Sequence, residues 1–354
     1  MRRVRGGDLL TRALLLVPPR RAARCGSEQF RATVLSMSDN QMLVLNRADL
    51  ESLGLTWAEI IDVLEDAFSQ KARGLVQNPP KPKVVSREDA FIHAMPAYLG
   101  GSDRLGIKWV GGYEQNHAKG LPYIYGTVIM NDADTGRPIA LLDGGWITEM
   151  RTPGVSGVTM RHVPGDPKHL ALVGCGVQGR RHLEVALEVH PGLTHVTAYD
   201  YVDGLAQQLL DNAGDRVTNV AESPTEAVAG ADLVVTTITV PLDPKLDCAN
   251  TDPNALLLPV DYDDAMAQAA FDDAVVYCVD DLGQYGSVAG SLYFFGLPKP
   301  VTHLAAVVAG EYDVPVTGRR MFLNMGIAMD DIALGSLVLD RATAAGVGRY
   351  IEFP

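Results

Sequence analysis

Residues 170–182 read LALVGCGVQGRRH, and the choice of fold rests on them. An apolar run ends in glycines at 174, 176 and 179, the spacing G-x-G-x-x-G, and VQGRRHLEVALEVH continues as a helix. The next apolar run, HVTAYD, closes on Asp200, 26 residues after Gly174. Strand, glycine turn, helix and a strand ending in an acid are the parts of a dinucleotide-binding unit. Gly174 permits the tight turn, Gly176 lets backbone approach a diphosphate, and Gly179 lets helix and strand pack closely. Val177 and Gln178 open the helix, whose free N–H groups and partial positive charge suit phosphates. Asp200 accepts hydrogen bonds from ribose hydroxyls and repels a 2′-phosphate, and Tyr201 supplies no cation. The loop therefore predicts NAD as cofactor and disfavours NADP. The same glycine spacing occurs in methyltransferases, which nothing else in the chain supports. Cys175 is read as a small packing residue.

Outward from this loop the grammar is regular. HVTAYD, ADLVVTTIT, ALLLPVD and AVVYCVDD read as strands alternating with helical stretches such as VDGLAQQLLDNAG, the pattern of a doubly wound parallel sheet. Upstream, TWAEIIDVLEDAFSQKARG predicts an amphipathic helix with Thr56 as its N-cap and Gly74 past its end. AFIHAMPAYL, LGIKWVGG, YIYGTVIMND and PIALLDG read as strands, with DADTGRP as a hairpin turn. WITEMRTPGVSGVTMRHV reads as a helix holding Arg151 despite Pro153. The segment from Arg319 to Gly348 reads as one long helix returning to the first domain. The expected fold class is α/β: a Rossmann-type doubly wound parallel sheet plus a second, α+β domain for substrate binding and dimerisation. The second domain is placed at residues 37–163 plus 317–354, the nucleotide domain at 164–316.

At 354 residues, two domains are expected. A net charge of −13 and the absence of a basic stripe argue against a nucleic-acid surface. Four scattered cysteines, with no CxxC or Cys/His spacing, point to a reducing compartment, so to the cytoplasm, and to no metal site. No apolar run reaches the ~18 residues of a membrane span. The first 35 residues carry eight arginines against Asp8 and Glu28, a net +6 that leaves −19 on the remainder. Residues 1–36 are read as a disordered extension or the product of a start assigned too far upstream, with Met37 or Met42 opening the domain. A targeting peptide fits less well, because Arg12 and Pro18-Pro19 interrupt its apolar stretch.

Five charged residues stand out. In LGIKWVGG (105–112), period 2 puts Leu105, Ile107 and Trp109 on one face and Lys108 with Val110 on the other. Lys108 is either the wet side of a strand or a site residue. Arg151, just before the nucleotide domain, could clamp a carboxylate with its two-pronged guanidinium. Asp261, Asp263 and Asp264 follow a buried strand at the carboxyl edge, where open α/β sheets place ligands, and one of them could move a proton.

From about Met42 to Phe353 the chain resembles the ornithine cyclodeaminase/μ-crystallin family, on MPAYL, LGIKWVGG, GLPYIYGTVIMNDADTGRPIALLDG, ITEMRTPGVSG, LALVGCGVQGRRH and NMGIAMDD. The family includes cyclodeaminases, imine or ketimine reductases and amino-acid dehydrogenases. The resemblance implies that Lys108 and Arg151 grip the carboxylate of an amino or imino acid and that Lys108 assists proton transfer. It implies that Thr152 touches the cofactor diphosphate and that Thr237 and Thr239 lie along the cofactor. Asp263 takes the proton-shuttling position, and two first domains pair their sheets in a homodimer. Two departures matter. Lys83 stands nearest to where cyclodeaminases carry a substrate-binding arginine, and lysine loses the bidentate fork. His93 stands where an ornithine-type enzyme carries a glutamate, which weakens the case for a diamine. PVDYDDAM and VDDLGQY also resemble a subgroup described as an accessory subunit of tyramine oxidase. The expected function is NAD-dependent chemistry at the Cα–N bond; the alternative is a catalytically silent NAD-binding or accessory protein.

Overall fold

The computed structural model describes residues 40–353; the extension expected over 1–36, with Cys25, lies outside them. The chain opens with β1 (Gln41–Leu45), α1 (Arg47–Ser52) and α2 (Trp57–Ala72). Short β2 (Val76–Gln77) and β3 (Lys83–Val84) precede β4 (Ala90–Leu99), β5 (Arg104–Tyr113), β6 (Ile124–Asn131) and β7 (Pro138–Asp143). Helix α3 (Gly144–His162) leads to β8 (His169–Val173), α4 (Val177–Val189), β9 (His195–Tyr199), α5 (Leu205–Leu210), β10 (Val217–Val220) and α6 (Pro224–Ala227). There follow β11 (Leu233–Thr236), β12 (Leu256–Pro259), α7 (Gln268–Asp273), β13 (Val276–Val279) and α8 (Leu282–Val288). The chain ends with β14 (Thr302–His303), α9 (Leu304–Val308), β15 (Arg320–Leu323), α10 (Ala328–Ala345) and β16 (Arg349–Glu352).

Local chemistry sets these boundaries. Thr56 and Glu59 form a reciprocal capping box that satisfies two orphan N–H groups at the start of α2. Ile60, Ile61, Leu64 and Phe68 then fall on one face and are fully buried, as the 3.6-residue period requires. Gly74, at φ +70°, lets the chain turn away.

The first sheet runs β16-β1-β7-β6-β5-β4-β2, with β3 also on β4; its pairs are antiparallel except β1 with β7. Helix α10 packs across β4, β5 and β6, covering one face. The second sheet is wholly parallel, β10-β9-β8-β11-β12-β15-β13-β14. This is the α/β fold expected, a doubly wound sheet beside an α+β partner. One buried cluster continues from Leu43 through α2 and α10 to Leu172 and Val235, so the two sheets share a core. Among the described residues no helix is long and apolar enough to cross a membrane, and no His, Cys, Asp or Glu cluster could hold a metal.

One reading needs correcting. The segment from Arg319 is not a single helix: Arg320–Leu323 is a central strand of the second sheet, and the helix spans Ala328–Ala345. The second sheet thus extends past residue 316. Four consecutive buried residues, Arg320–Leu323, suit a strand covered on both faces, and Gly326 at φ +76° ends any helical continuity.

Candidate active site

The glycine loop has the shape its spacing requires. Gly174 sits at φ +96°, and a Cβ there would lie 2.8 Å from the Thr237 carbonyl, whose hydroxyl donates to Gly174 O at 2.8 Å. At Gly179 a Cβ would fall 2.1 Å from Gly174 O, so helix and turn touch backbone to backbone. A Cβ on Gly176 would meet nothing within 4 Å; this open cradle faces the start of α4, where a diphosphate can reach the first N–H groups. Asp200 directly follows β9, its carboxylate held by the N–H groups of Cys175 (2.6 Å) and Val202 (2.8 Å) with lone pairs left for ribose hydroxyls. Val177 is exposed, and Gln178 has a buried, unpartnered Oε1. These residues fit NAD. The Cys175 thiol is pushed up to about 12, chiefly by burial, and packs inertly.

Helix α3 carries Arg151 and packs on α4: Gln178 Nε2 donates to Thr148 O at 3.4 Å, and Ser156 Oγ meets His182 Nε2 at 3.0 Å. Thr152 is buried and donates to Thr148 O at 2.8 Å. The arginine is thereby fixed to the nucleotide side. Opposite, β5 turns Lys108 to the face that α10 covers, and Trp109 to the other, where it is 49% exposed.

Lys108 is fully buried. Its Nζ lies 2.6 Å from Asp331 Oδ1 and 3.2 Å from Thr148 Oγ1. Arg151 Nε is 3.2 Å from that same Asp331 oxygen. One carboxylate from the first turn of α10 thus organises both cations. The Arg151 terminal nitrogens lie against Gly326, where a Cβ would be 2.4 Å from Nη1; among the described residues nothing hydrogen-bonds them. Burial lowers the Lys108 ammonium to about 7, with Asp331 opposing the fall and Arg151 adding to it. Beside them Asp330 is raised to about 8 by burial, and Asp280 to about 6 by burial against the pull of Lys81.

These cations open on a cavity of about 460 Å³. Its floor is the covered face of β4 and β5, with Phe91, His93, Met95, Lys108 and Val110; its roof is the carboxyl edge of the second sheet, with Tyr262, Gln284 and Met325. The sequence-predicted Lys83, His93, Lys108 and Arg151 all line it. Lys83 sits exposed at the rim, paired across the strands with His93. Burial, reinforced by Lys81, Lys83 and Lys108, lowers His93 to about 4. Its Nδ1 faces the Pro82 carbonyl at 3.1 Å, which can only accept, so Nδ1 carries the proton.

Other predicted residues lie elsewhere. Asp263 is half-buried in the loop after β12 and does not line the cavity; its carbonyl accepts from Lys245. Asp261 is the buried one, raised to about 7 by burial and committed to Thr236 Oγ1 (2.9 Å) and Ile238 N (3.0 Å). Thr237 is at the glycine turn, and Thr239 is exposed. Sequence reasoning missed Lys81, whose Nζ donates to Met325 O and Gly326 O at 2.8 Å each. It also missed Thr148, Asp280, Asp330 and Asp331; the adjacent acids of NMGIAMDD were the one signal for the last two.

A dinucleotide sheet whose carboxyl edge faces a buried lysine–arginine–aspartate cluster defines the class: a two-domain NAD-dependent oxidoreductase. The chain belongs to the ornithine cyclodeaminase/mu-crystallin family, which it matches over residues 40–346. It is 32% identical over 322 residues to the nodulation efficiency protein NfeD of Rhizobium meliloti, covering 87% of this chain and 98% of that one. It is 28% identical to the alanine dehydrogenase of Archaeoglobus fulgidus, over 88% and 99% of the two chains. Its structure resembles Thermococcus litoralis Δ1-pyrroline-2-carboxylate reductase bound to NADH and L-proline, with TM-score 0.80, 27% identity, and 87% and 99% coverage.

Proposed function

We propose that this protein interconverts an α-imino acid and the corresponding α-amino acid with NAD(H), on a substrate whose side chain carries no positive charge. The observation that carries this reading is the cavity wall: it presents Lys81, Lys83, Lys108 and Arg151, and among the described residues no carboxylate lines it. A diamine's distal ammonium would meet a lone neutral His93 among cations, at a Coulombic cost.

NADH, when bound along the glycine loop, supplies the hydride that Cα receives. Arg151 presents its free Nη atoms to the substrate carboxylate. Lys108, poised near neutrality, donates a proton to the imine nitrogen during reduction, and in its neutral form removes one from the substrate ammonium during oxidation. Asp331 holds both cations in place. Met95, Val110 and Ile124 keep water from the imine carbon. We assign the proton to Lys108 because it borders the cavity, whereas Asp263 does not.

The exposed face of the first sheet supports a homodimer. Pro96, Ile107, Ile129 and Leu141 form one cross-strand row there, next to the exposed Trp109 and Tyr125. Light scattering on the purified chain tests it; a monomer at micromolar concentration removes the proposal.

Absorbance at 340 nm tests the activity. NADH oxidation with cyclic imines, or with 2-oxo acids plus ammonium, supports imine reduction. Conversion of ornithine or lysine to a cyclic product without net NADH change would replace it with cyclodeamination. NAD binding with no turnover in any panel would favour a silent role, or that of an accessory subunit to a tyramine oxidase.

A further inference from the structure

Resting on that reading, we infer that the substrate's side chain is apolar and ring-sized, received by an aromatic wall that leads away from Arg151: Tyr262, Tyr293 and Leu292 above, Phe91 and Ile124 below. Strand register sets the axis of the floor. Lys108 on β5 pairs with Met95 on β4. Two residues on, Val110 pairs with His93, and two further, Gly112 pairs with Phe91 on β4 and Ile124 on β6. From Lys108 to Gly112 the strand advances about 13 Å. The floor therefore passes from an ammonium, through a neutral imidazole, to two apolar side chains. A Cβ on Gly112 would lie 2.6 Å from the Phe91 ring, so only a glycine there lets that ring lie across the strand.

The roof follows the same course. Lys81 belongs to the Arg151 end, donating to Met325 O and Gly326 O. The Tyr262 hydroxyl donates to the same Met325 O at 3.4 Å, and its ring adjoins the Lys81 ammonium, 5.8 Å to the centroid. Tyr293 stands beside it, with ring centroids 4.6 Å apart. Tyr262 and Phe294 both sit at φ +60°, which bulky residues rarely adopt. Phe294 is buried and stacks on Tyr262 and Tyr285, with centroids 5.8 and 5.1 Å apart, so one stack of rings anchors both strained positions. Packing that over-determines a strained backbone pre-organises a binding surface. Leu292 lines the cavity yet stays 51% exposed, apolar area that an occupant would cover. Lys83 reaches this end from the exposed rim, where water screens its charge, and lies over the Phe91 ring at 5.8 Å. This end offers ring faces and edges, which attract an aryl group beyond its area alone.

The test compares kcat/KM for phenylpyruvate, pyruvate and oxaloacetate, each with ammonium and NADH, in wild type and in Tyr293→Ala and Leu292→Ala. Wild type should prefer phenylpyruvate to both others. Loss of one aromatic contact predicts that Tyr293→Ala lowers the phenylpyruvate-to-pyruvate ratio about tenfold. Leu292→Ala, at an exposed position where folding is not at stake, should lower it by a smaller factor in the same direction. Wild type preferring pyruvate or oxaloacetate, or a ratio that neither variant changes, overturns the inference. If no substrate turns over, the proposed activity fails on its own. The wall is then read from thermal shift of the protein with NADH and 3-phenylpropionate, acetate or succinate. Stabilisation by 3-phenylpropionate above both others, removed in Tyr293→Ala, upholds it; equal shifts, or a larger one with succinate, overturn it.

Discussion

Replacing Asp331 with Asn keeps the volume and removes one charge from the centre of the site. In the native protein its Oδ1 is 2.6 Å from Lys108 Nζ, and both side chains are fully buried. Losing an opposite charge at that range lowers a lysine pKa by roughly 1–3, here from about 7 into the range of about 4–6. At pH 7 the protonated fraction would drop from about half to between about 10% and 0.1%, so kcat/KM for imine reduction should fall about 5- to 500-fold. The loss should be recovered on acidification, since only the proton is missing. In oxidation, where neutral Lys108 is the base, the limb that rises through about pH 7 should move equally to lower pH. The assay is the pH profile of kcat/KM in both directions, with NADH affinity and circular dichroism as controls for folding. Leaving a buried ammonium unpaired costs about 3–5 kcal/mol, and deprotonation of Lys108 relieves part of that cost, so the variant should fold. A limb that stays near pH 7 in Asp331→Asn would refute the assignment of that titration to Lys108.

Gly176→Ala should fold normally but weaken NADH binding about tenfold or more, because its Cβ meets no protein atom and fills the diphosphate cradle. Gly179→Ala should instead lose folded protein, since its Cβ meets Gly174 backbone at 2.1 Å; equal behaviour of the two, by fluorescence titration and melting, would contradict this account. Gly326→Ala combines φ +76° with a collision on Arg151 Nη1, so substrate KM should rise with a stability loss of about 1 kcal/mol or more. Asp330 keeps its proton to about pH 8 when folded and only to about pH 4 when unfolded, so wild-type stability falls between those values. Asp330→Asn should therefore gain in Tm relative to wild type as pH rises from 5 to 8, and a constant difference would argue against a buried neutral carboxyl. Asp263→Asn should keep most of its turnover in the 340 nm assay, whereas Lys108→Met should lose it; the reverse would return the proton to Asp263.

The local sequence decided what depends on local physics. Thr56, Glu59 and the spacing of Ile60, Leu64 and Phe68 specify α2 without help from the rest of the chain. The three glycines and Asp200 specify a dinucleotide loop because each role is set by backbone within one strand–turn–helix unit. Alternation in LGIKWVGG put Lys108 on the face opposite Trp109, but period 2 alone does not say which face is wet. Only the packing of α10 on β5 decides that, bringing Asp331 to a lysine 223 positions away. The same holds for Arg320–Leu323, where an apolar run reads equally as buried strand or helix until β12 and β13 close around it. Asp330 and Asp331 look in sequence like acids favouring a helix N-terminus. Burial between the two sheets makes one a neutral carboxyl and the other the shared counter-ion of the site, because low dielectric and long-range partners exist only once the chain has folded.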